Sequence, residues 1–144
     1  MRVQNILAHK GPVVVTVEPN ASLTEVIASL SKHGIGALIV SADNRTIAGI
    51  VTERDIVRAL ASHGPDLLGM PVRDIMTMNV LTCAPEEEVR SVARTMTDKR
   101  FRHMPVTIDG AIAGIVSIGD VVKSRLDELE TEHDQLLSYI SSTG

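Results

Sequence analysis

The chain has 144 residues, enough for one domain or for two half-domains that share a core. Apolar residues make up 44% of it, yet phenylalanine and tyrosine occur once each and tryptophan not at all, so the core must be aliphatic and a stacking platform for single-stranded nucleic acid is missing. A balance of 14 basic and 18 acidic residues (formal charge −4) argues against general binding to a phosphate backbone, and a lone cysteine, Cys83, excludes an intrachain disulfide or a cysteine-rich metal site.

The N-terminal stretch MRVQNILAHKG is mixed and polar and reads as a short helical segment over residues 1–11, without the pattern of a signal peptide. No apolar run approaches the roughly 18 residues of a membrane helix, so a cytoplasmic protein is expected. Val13 to Val17 is a β-branched run and predicts a short buried strand, broken by Glu18-Pro19-Asn20. Ser22 and Glu25 fit a capping box, and Leu23, Val26, Ile27 and Leu30 continue at helical spacing to His33-Gly34. Ala37 to Val40 and Ile47 to Val51 read as two further strands, with a hairpin turn at Asp43-Asn44. A helix starting near Thr52 carries Ile56, Val57 and Leu60 on one face and ends near His63-Gly64. Gly64-Pro65-Asp66 opens a connection in which Val72 to Met76 makes a helical turn. The order then recurs: a strand over Val80 to Cys83, a helix from Glu86 to Asp98, strands over Met104 to Ile108 and Ala111 to Val116 around a strong Asp109-Gly110 turn, and a helix from Gly119 onward.

The recurrence is written into the residues. Ile47-Ala48-Gly49-Ile50-Val51-Thr52-Glu53-Arg54-Asp55 returns as Ile112-Ala113-Gly114-Ile115-Val116-Ser117-Ile118-Gly119-Asp120. Upstream, Thr16, Pro19, Val26, Leu30, Val40 and Asp43 match Thr82, Pro85, Val92, Met96, Val106 and Asp109. One residue is lost between Asn44-Arg45-Thr46 and Gly110-Ala111, in a turn, where length is free to vary. The chain is thus an α/β (α+β) protein of two β-α-β-β-α units, residues 12–64 and 79–126, with a linker over 65–78 and a helical extension over 127–144. A three-stranded sheet with helices on one face leaves apolar surface for the second unit to cover.

Each unit ends a strand with a hydroxyl and, three places on, a carboxylate: Thr52 with Asp55, Ser117 with Asp120. Such a pair caps a helix. It also suits a ribose, whose vicinal hydroxyls donate to a carboxylate while the helix N-terminus attracts a phosphate. The copies differ: Arg54 faces Gly119 in the alignment, and Gly36-Ala37 faces Arg102-His103. Arginine takes phosphate oxygens two at a time, although Arg54 and Arg102 also fit solvated surface cations and His103 a strand-edge histidine. Lys99 and Arg100 read as solvated. No catalytic constellation is present: Ser117 lacks a histidine base, Cys83 reads as a small buried residue, and the five histidines show no ligand spacing, so neither turnover nor a metal is expected.

The doubled unit with G-I-V-[ST]-x-x-D, together with Arg73-Asp74-Ile75-Met76 and Phe101-Arg102-His103-Met104-Pro105-Val106 in order, resembles the cystathionine-β-synthase (CBS) domain in its tandem form, the Bateman module. The likeness covers nearly the whole chain and is to small stand-alone bacterial proteins made of the pair and short terminal helices, with no catalytic domain attached. It implies units related by pseudo-two-fold symmetry, and a non-catalytic sensor that binds AMP, ADP, ATP or NAD(H) in the clefts between them and signals energy or redox state to a protein target, with no cofactor required. Residue by residue, it assigns Thr52, Asp55, Ser117 and Asp120 to ribose and Arg54, Arg102 and His103 to phosphate. Thr16, Val17, Gly36, Ala37, Met104 and Pro105 become candidate adenine walls, several of them equally readable as plain core; the walls are expected to be aliphatic because no aromatic is available.

Beyond Asp120, Val122, Leu126, Leu129, His133, Leu136 and Ile140 follow a heptad seam with charged residues between them. The helix either docks on its own unit or packs on a partner subunit, and the family resemblance favours a homodimer. The rival function is a nucleotide-independent scaffold or adaptor acting through this helix.

Overall fold

A computed structural model describes residues 1–11 and 13–143; Pro12 and Gly144, the expected start of the first unit and end of the extension, lie outside the described residues. The chain runs α1 (Val3–Lys10), β1 (Thr16–Val17), α2 (Leu23–His33), β2 (Ala37–Val40), β3 (Gly49–Thr52), α3 (Glu53–His63), two 3₁₀ turns (Gly64–Gly69 and Val72–Asp74), α4 (Val89–Lys99), β4 (His103–Ile108), β5 (Ala111–Ser117) and α5 (Ile118–Thr143). It is an α+β fold in which one order of elements occurs twice.

In the first unit β2 is central, parallel to β1 and antiparallel to β3, with Leu38 opposite Val51. Ser22 caps α2 by accepting the Glu25 N–H at 3.2 Å, and Gly34 closes it in the left-handed conformation at φ 62°. The apolar face of α2 (Leu23, Val26, Leu30) packs on Leu38, Val40 and Val51. β3 starts at Gly49 rather than Ile47 because the Asp43 carboxylate accepts from the Arg45 and Thr46 N–H groups at 2.9 and 2.8 Å, folding this stretch into a tight turn. β1 is shorter than its β-branched run, and Val13 is 83% exposed.

The second unit departs further from expectation. β4 and β5 pair across Asp109 and Gly110, whose φ values of 51° and 79° supply the two positive angles of a type I′ hairpin. The expected strand over Val80 to Cys83 reduces to one parallel bridge, in which Cys83 N–H donates to Pro105 O at 3.0 Å and Thr107 N–H to Cys83 O at 2.9 Å. Pro105 stands where the first unit has Ile39. It has no N–H to donate toward Leu81, so the parallel ladder cannot extend. α4 starts at Val89 rather than Glu86, because Glu87 accepts the Ala84 N–H and the carbonyls of Pro85 and Glu87 accept from Gln4 and Val3 N–H, each at 2.9 Å.

Each unit has its own core, and each core is completed by the segment that leads into the other unit. Val3, Ile6 and Leu7 of α1 pack with Met96, Val106 and Val116 of the second unit. Leu67, Val72, Ile75 and Met76 of the connection pack into the first. The two segments dock alike: Arg2 bridges to Glu88 as Pro71 bridges to Ser22. Each then crosses a strand at a glycine. A Cβ on Gly49 would lie 2.7 Å from Met76 Sδ and 2.8 Å from the Thr77 carbonyl oxygen; one on Gly114 would lie 2.5 Å from Leu7 Cδ2.

α5 begins inside the fold, with Val121 and Ser124 buried, but every residue from 129 to 142 is exposed. Docking on its own unit therefore holds for the first turns only, and the remainder projects about 20 Å at the helical rise of 1.5 Å per residue.

The glycine crossings give a test. Gly49→Ala meets a backbone carbonyl that cannot swing aside, and should cost about 1–3 kcal/mol in urea denaturation. Gly114→Ala meets the end of a leucine side chain and should cost less than half as much; equal losses would contradict this reading of the crossings.

Candidate functional site

Thr52 closes β3 and N-caps α3. Its hydroxyl accepts the Asp55 N–H at 3.2 Å, while Asp55 Oδ2 accepts the Thr52 N–H at 3.0 Å and its hydroxyl at 3.1 Å. The capping reading of the motif is therefore realised. It leaves Oδ1 of the half-buried carboxylate with the Thr77 hydroxyl, which donates at 3.2 Å. The cap fixes where Asp55 points, and it points into a cleft.

That cleft, of about 850 Å³, is bounded by the start of α3, by residues 77–81 and by residues 99–103 of the other unit. Arg54, Arg58, Lys99, Arg100 and Arg102 line it against the carboxylates of Glu53 and Asp55, with His103 beside them. Five cations against two anions create a positive field at a helix N-terminus, the arrangement that attracts phosphate. Gly36 keeps the floor open: a Cβ there would lie 3.2 Å from Glu53 Oε1 and 3.4 Å from His103 Cε1.

The second motif repeats the cap. Asp120 Oδ2 accepts the Ser117 N–H at 2.9 Å and Ser117 Oγ accepts the Asp120 N–H at 3.2 Å. The neighbour differs: Lys10, the last residue of α1, donates to Asp120 Oδ2 at 2.8 Å and to the Ile115 carbonyl at 2.9 Å.

Of the residues singled out from the sequence, Thr52, Arg54, Asp55, Gly36, Arg102 and His103 meet on this one cleft, while Ser117 and Asp120 lie apart from it. The remaining adenine-wall candidates are not on its lining. Thr16 hydrogen-bonds the Asn44 side chain, Val17 packs against the first core, and Ala37, Met104 and Pro105 are buried. One expectation is corrected: an aromatic is available, since Phe101 lines the cleft. Lys99 and Arg100 are exposed, in keeping with solvated cations, and they also stand on the cleft's lining. Arg58, Thr77 and Asn79 were not expected on the lining, and Lys10 not beside Asp120. The signal for both segments was present: Val3-Gln4-Asn5-Ile6-Leu7 and Val72-Arg73-Asp74-Ile75-Met76 share one pattern, which predicts that the residues just after each play matching parts.

The charges shape the titrations. Burial raises the Asp120 carboxyl, but the Lys10 ammonium and the Ser117 donors outweigh it and hold Asp120 below its ordinary value of 3.8. Burial lowers the His103 imidazole, with Lys10 and Arg102 adding to the effect and Glu53 and Asp120 opposing it, so it favours the neutral ring. Burial, reinforced by Glu87, pushes the Cys83 thiol up to about 12, which leaves it an inert packing residue. Among the described residues no group of three or more His, Cys, Asp or Glu is arranged to hold a metal, and no helix is long and apolar enough to cross a membrane.

Fold and site together define a tandem α+β module with a cationic cleft between its repeats. The family model of the CBS domain matches residues 9–62 and again 72–127, and the chain belongs to this family as a CBS pair. A crystal structure of a CBS-domain containing protein from Agrobacterium tumefaciens is similar at 43% identity and a TM-score of 0.84, over 87% of this chain and 99% of that one. The CBS domain pair of protein MJ0100, solved in complex with 5′-methylthioadenosine and S-adenosyl-L-methionine, is similar at 32% identity and a TM-score of 0.76, over 88% of this chain and 98% of that one. Among curated proteins, a mitochondrial CBS domain-containing protein of Arabidopsis thaliana is 38% identical over 81% of this chain, which spans 58% of that protein's length.

Because the folded-state value of Asp120 is lowered, its pairing stabilises the fold above pH 3.8, and this contribution is lost as pH falls through the lowered value. Lys10→Gln should therefore cost roughly 0.5 kcal/mol at pH 7, as expected of a partly exposed ion pair. The gap between variant and wild type should narrow as pH falls below 3.8, read as urea midpoints across the acid range; a gap that does not change with pH would show that Lys10 acts through packing alone.

Proposed function

We propose that the chain is a non-catalytic regulatory module that binds an adenosine nucleotide, AMP, ADP, ATP or NAD(H), in the Asp55 cleft and signals its occupancy to a partner. The observation that carries this reading is the convergence, in one nucleotide-sized space, of a carboxylate preset by its cap to accept from a ribose diol and five cations suited to phosphate. A volume of about 850 Å³ lies within the usual range for small-molecule sites. The adenosine derivatives bound to the MJ0100 pair support the ligand class. Neither of them carries a phosphate, whereas the cations of this cleft favour a ligand that does. Ribose lies at Thr52 and Asp55, phosphates lie toward Arg54, Arg102 and His103, and Phe101 offers the base an apolar face. A ligand that bridges α3 of one unit and residues 99–103 of the other favours whichever relative placement of the units suits it best, and a shift in that equilibrium is the signal.

Calorimetry with AMP, ATP and NADH tests this. Asp55→Ala should weaken all three by about tenfold or more, the scale of a lost charged hydrogen-bond pair. Arg54→Gln/Arg102→Gln should weaken ATP more than adenosine, with a steeper salt dependence in wild type. No binding to wild type, or unchanged binding to Asp55→Ala, would overturn the reading.

The adaptor reading keeps one observation in its favour: the projecting half of α5 exposes Leu129 and Leu136 at 45% and 57%. With Val57 and Leu60 of α3 and Val122 and Leu126 of α5 also exposed, these residues support assembly as a homodimer. Removing residues 127–144 separates the roles. A nucleotide sensor keeps its affinity for AMP in calorimetry, whereas an adaptor has no such affinity to keep.

A further inference from the structure

The last helix changes character along its length. Val121 and Ser124 anchor its first turns in the second unit, and Arg125 Nη1 donates to Glu128 Oε2 at 2.9 Å. Beyond that point the chain leaves the fold. The family model ends at residue 127, and the two solved relatives are matched over 98–99% of their own length but only 87–88% of this chain. What residues 127–143 pack on is therefore not supplied by the family. A lone helix of this length is marginal in water even when rich in alanine, so its apolar seam requires a partner. Along that seam Val122, Leu126, Leu129 and Leu136 are 45–57% exposed.

The charges decide which partner fits. Residues 127–144 carry Asp127, Glu128, Glu130, Glu132 and Asp134 and no lysine or arginine, which leaves 13 acidic residues against all 14 basic ones in residues 1–126. A parallel pair of such arms matches only Arg125 with the partner's Glu130 and runs the acidic stretches side by side. An arm laid antiparallel on the first turns of a second copy's α5 meets the exposed Lys123 and Arg125 there instead.

We infer that the α5 arm docks antiparallel on α5 of a second copy of this chain, crossing it near residues 127 and 128, so that each copy's acidic arm covers the other's exposed seam and basic first turns. The inference rests on the homodimer reading and adds the orientation of the pair and the element that holds it. In this register Leu126 meets the partner's Leu129, Val122 the partner's His133, and Leu136 the partner's Gly119, which is exposed and leaves room for it. Flanking the seam, Lys123 faces the partner's Glu130 and Arg125 the partner's Glu132, and two-fold symmetry makes each pair twice.

Sedimentation equilibrium of the full chain tests this, with substitutions at exposed positions only. Wild type should be a dimer that weakens as salt is raised. Lys123→Glu and Glu130→Lys should each raise the dimer dissociation constant by about tenfold, since each sets two like-charged pairs face to face, and Lys123→Glu/Glu130→Lys should restore it. Disulfide cross-linking checks the direction. Cys83 is buried and stays out of the reaction. Val122→Cys and His133→Cys chains should link when mixed, and neither should link to itself, because the two copies of position 122 lie about 16 Å apart along the crossing. A dimer indifferent to both charge changes overturns the arm and leaves the homodimer reading in place. Val122→Cys chains that link to themselves show a parallel pair and overturn the proposed docking. A wild-type monomer overturns both readings and gives the arm to a different partner.

Discussion

Two points of contact organise this molecule: the places where a leading segment crosses a strand so closely that only glycine fits beneath it. At Gly49 the strand is crossed by Met76 and Thr77, at Gly114 by Leu7. Everything distinctive about the chain follows from these crossings. They bring the connection into the first core and α1 into the second, so neither unit is complete without a piece of chain from outside its own β-α-β-β-α run. They also decide what stands beside each capped aspartate, because the residue after the crossing is Thr77 in one case and Lys10, a turn further on, in the other. Packing and electrostatics are set by one geometric requirement, a strand position without a Cβ, beneath the Met76 side chain and the Thr77 backbone at Gly49 and beneath the Leu7 side chain at Gly114.

The cap and the site are one construction. A carboxylate that binds a ribose has to be ionised, oriented and held at little entropic cost when the ligand arrives. Reciprocal bonds between Thr52 and Asp55, and between Ser117 and Asp120, provide that orientation before any ligand is present. Preorganisation of this kind is what would let a common helix-start signature serve the proposed recognition. What the cap does not supply is selectivity, which in the proposed reading falls to the opposite wall, where Lys99, Arg100 and Arg102 arrive from the second unit.

The doubling, the helices and the pairing of strands were legible in the sequence because they rest on local rules. Ser22 and Thr52 cap where spacing placed them, Gly34 ends α2, and Asp109-Gly110 turns β4 into β5. The cleft was half legible. Thr52, Asp55, Arg54, Arg102 and His103 were named from the repeat and the family likeness; Arg58 follows Arg54 by one turn of α3, whereas Asn79 and Phe101 join them only because two distant stretches of chain fold against each other. Lys10 was missed for a different reason. Its partner lies 110 residues away, and the pattern that announces its segment, Val3 to Leu7 against Val72 to Met76, is offset differently from the main repeat. The shortened strand near Cys83 was missed because a proline's lost donor matters only once the neighbouring strand is known.

That proline reaches further than the ladder it interrupts. With no N–H at Pro105, the stretch from Val80 to Leu81 is not itself part of the ladder; it runs between Thr77, paired with Ile50 of the first sheet, and Cys83, paired with the second, and it forms part of the cleft's rim. A rim anchored at its two ends can yield locally between them without unzipping the strands behind it, because the free energy of such an opening is a small fraction of that of the whole fold. The first unit, with Ile39 at the same place, carries the parallel ladder one pair further, Thr16 opposite Ile39. One imino acid thus decides where the second sheet stops and the rim of the cleft begins.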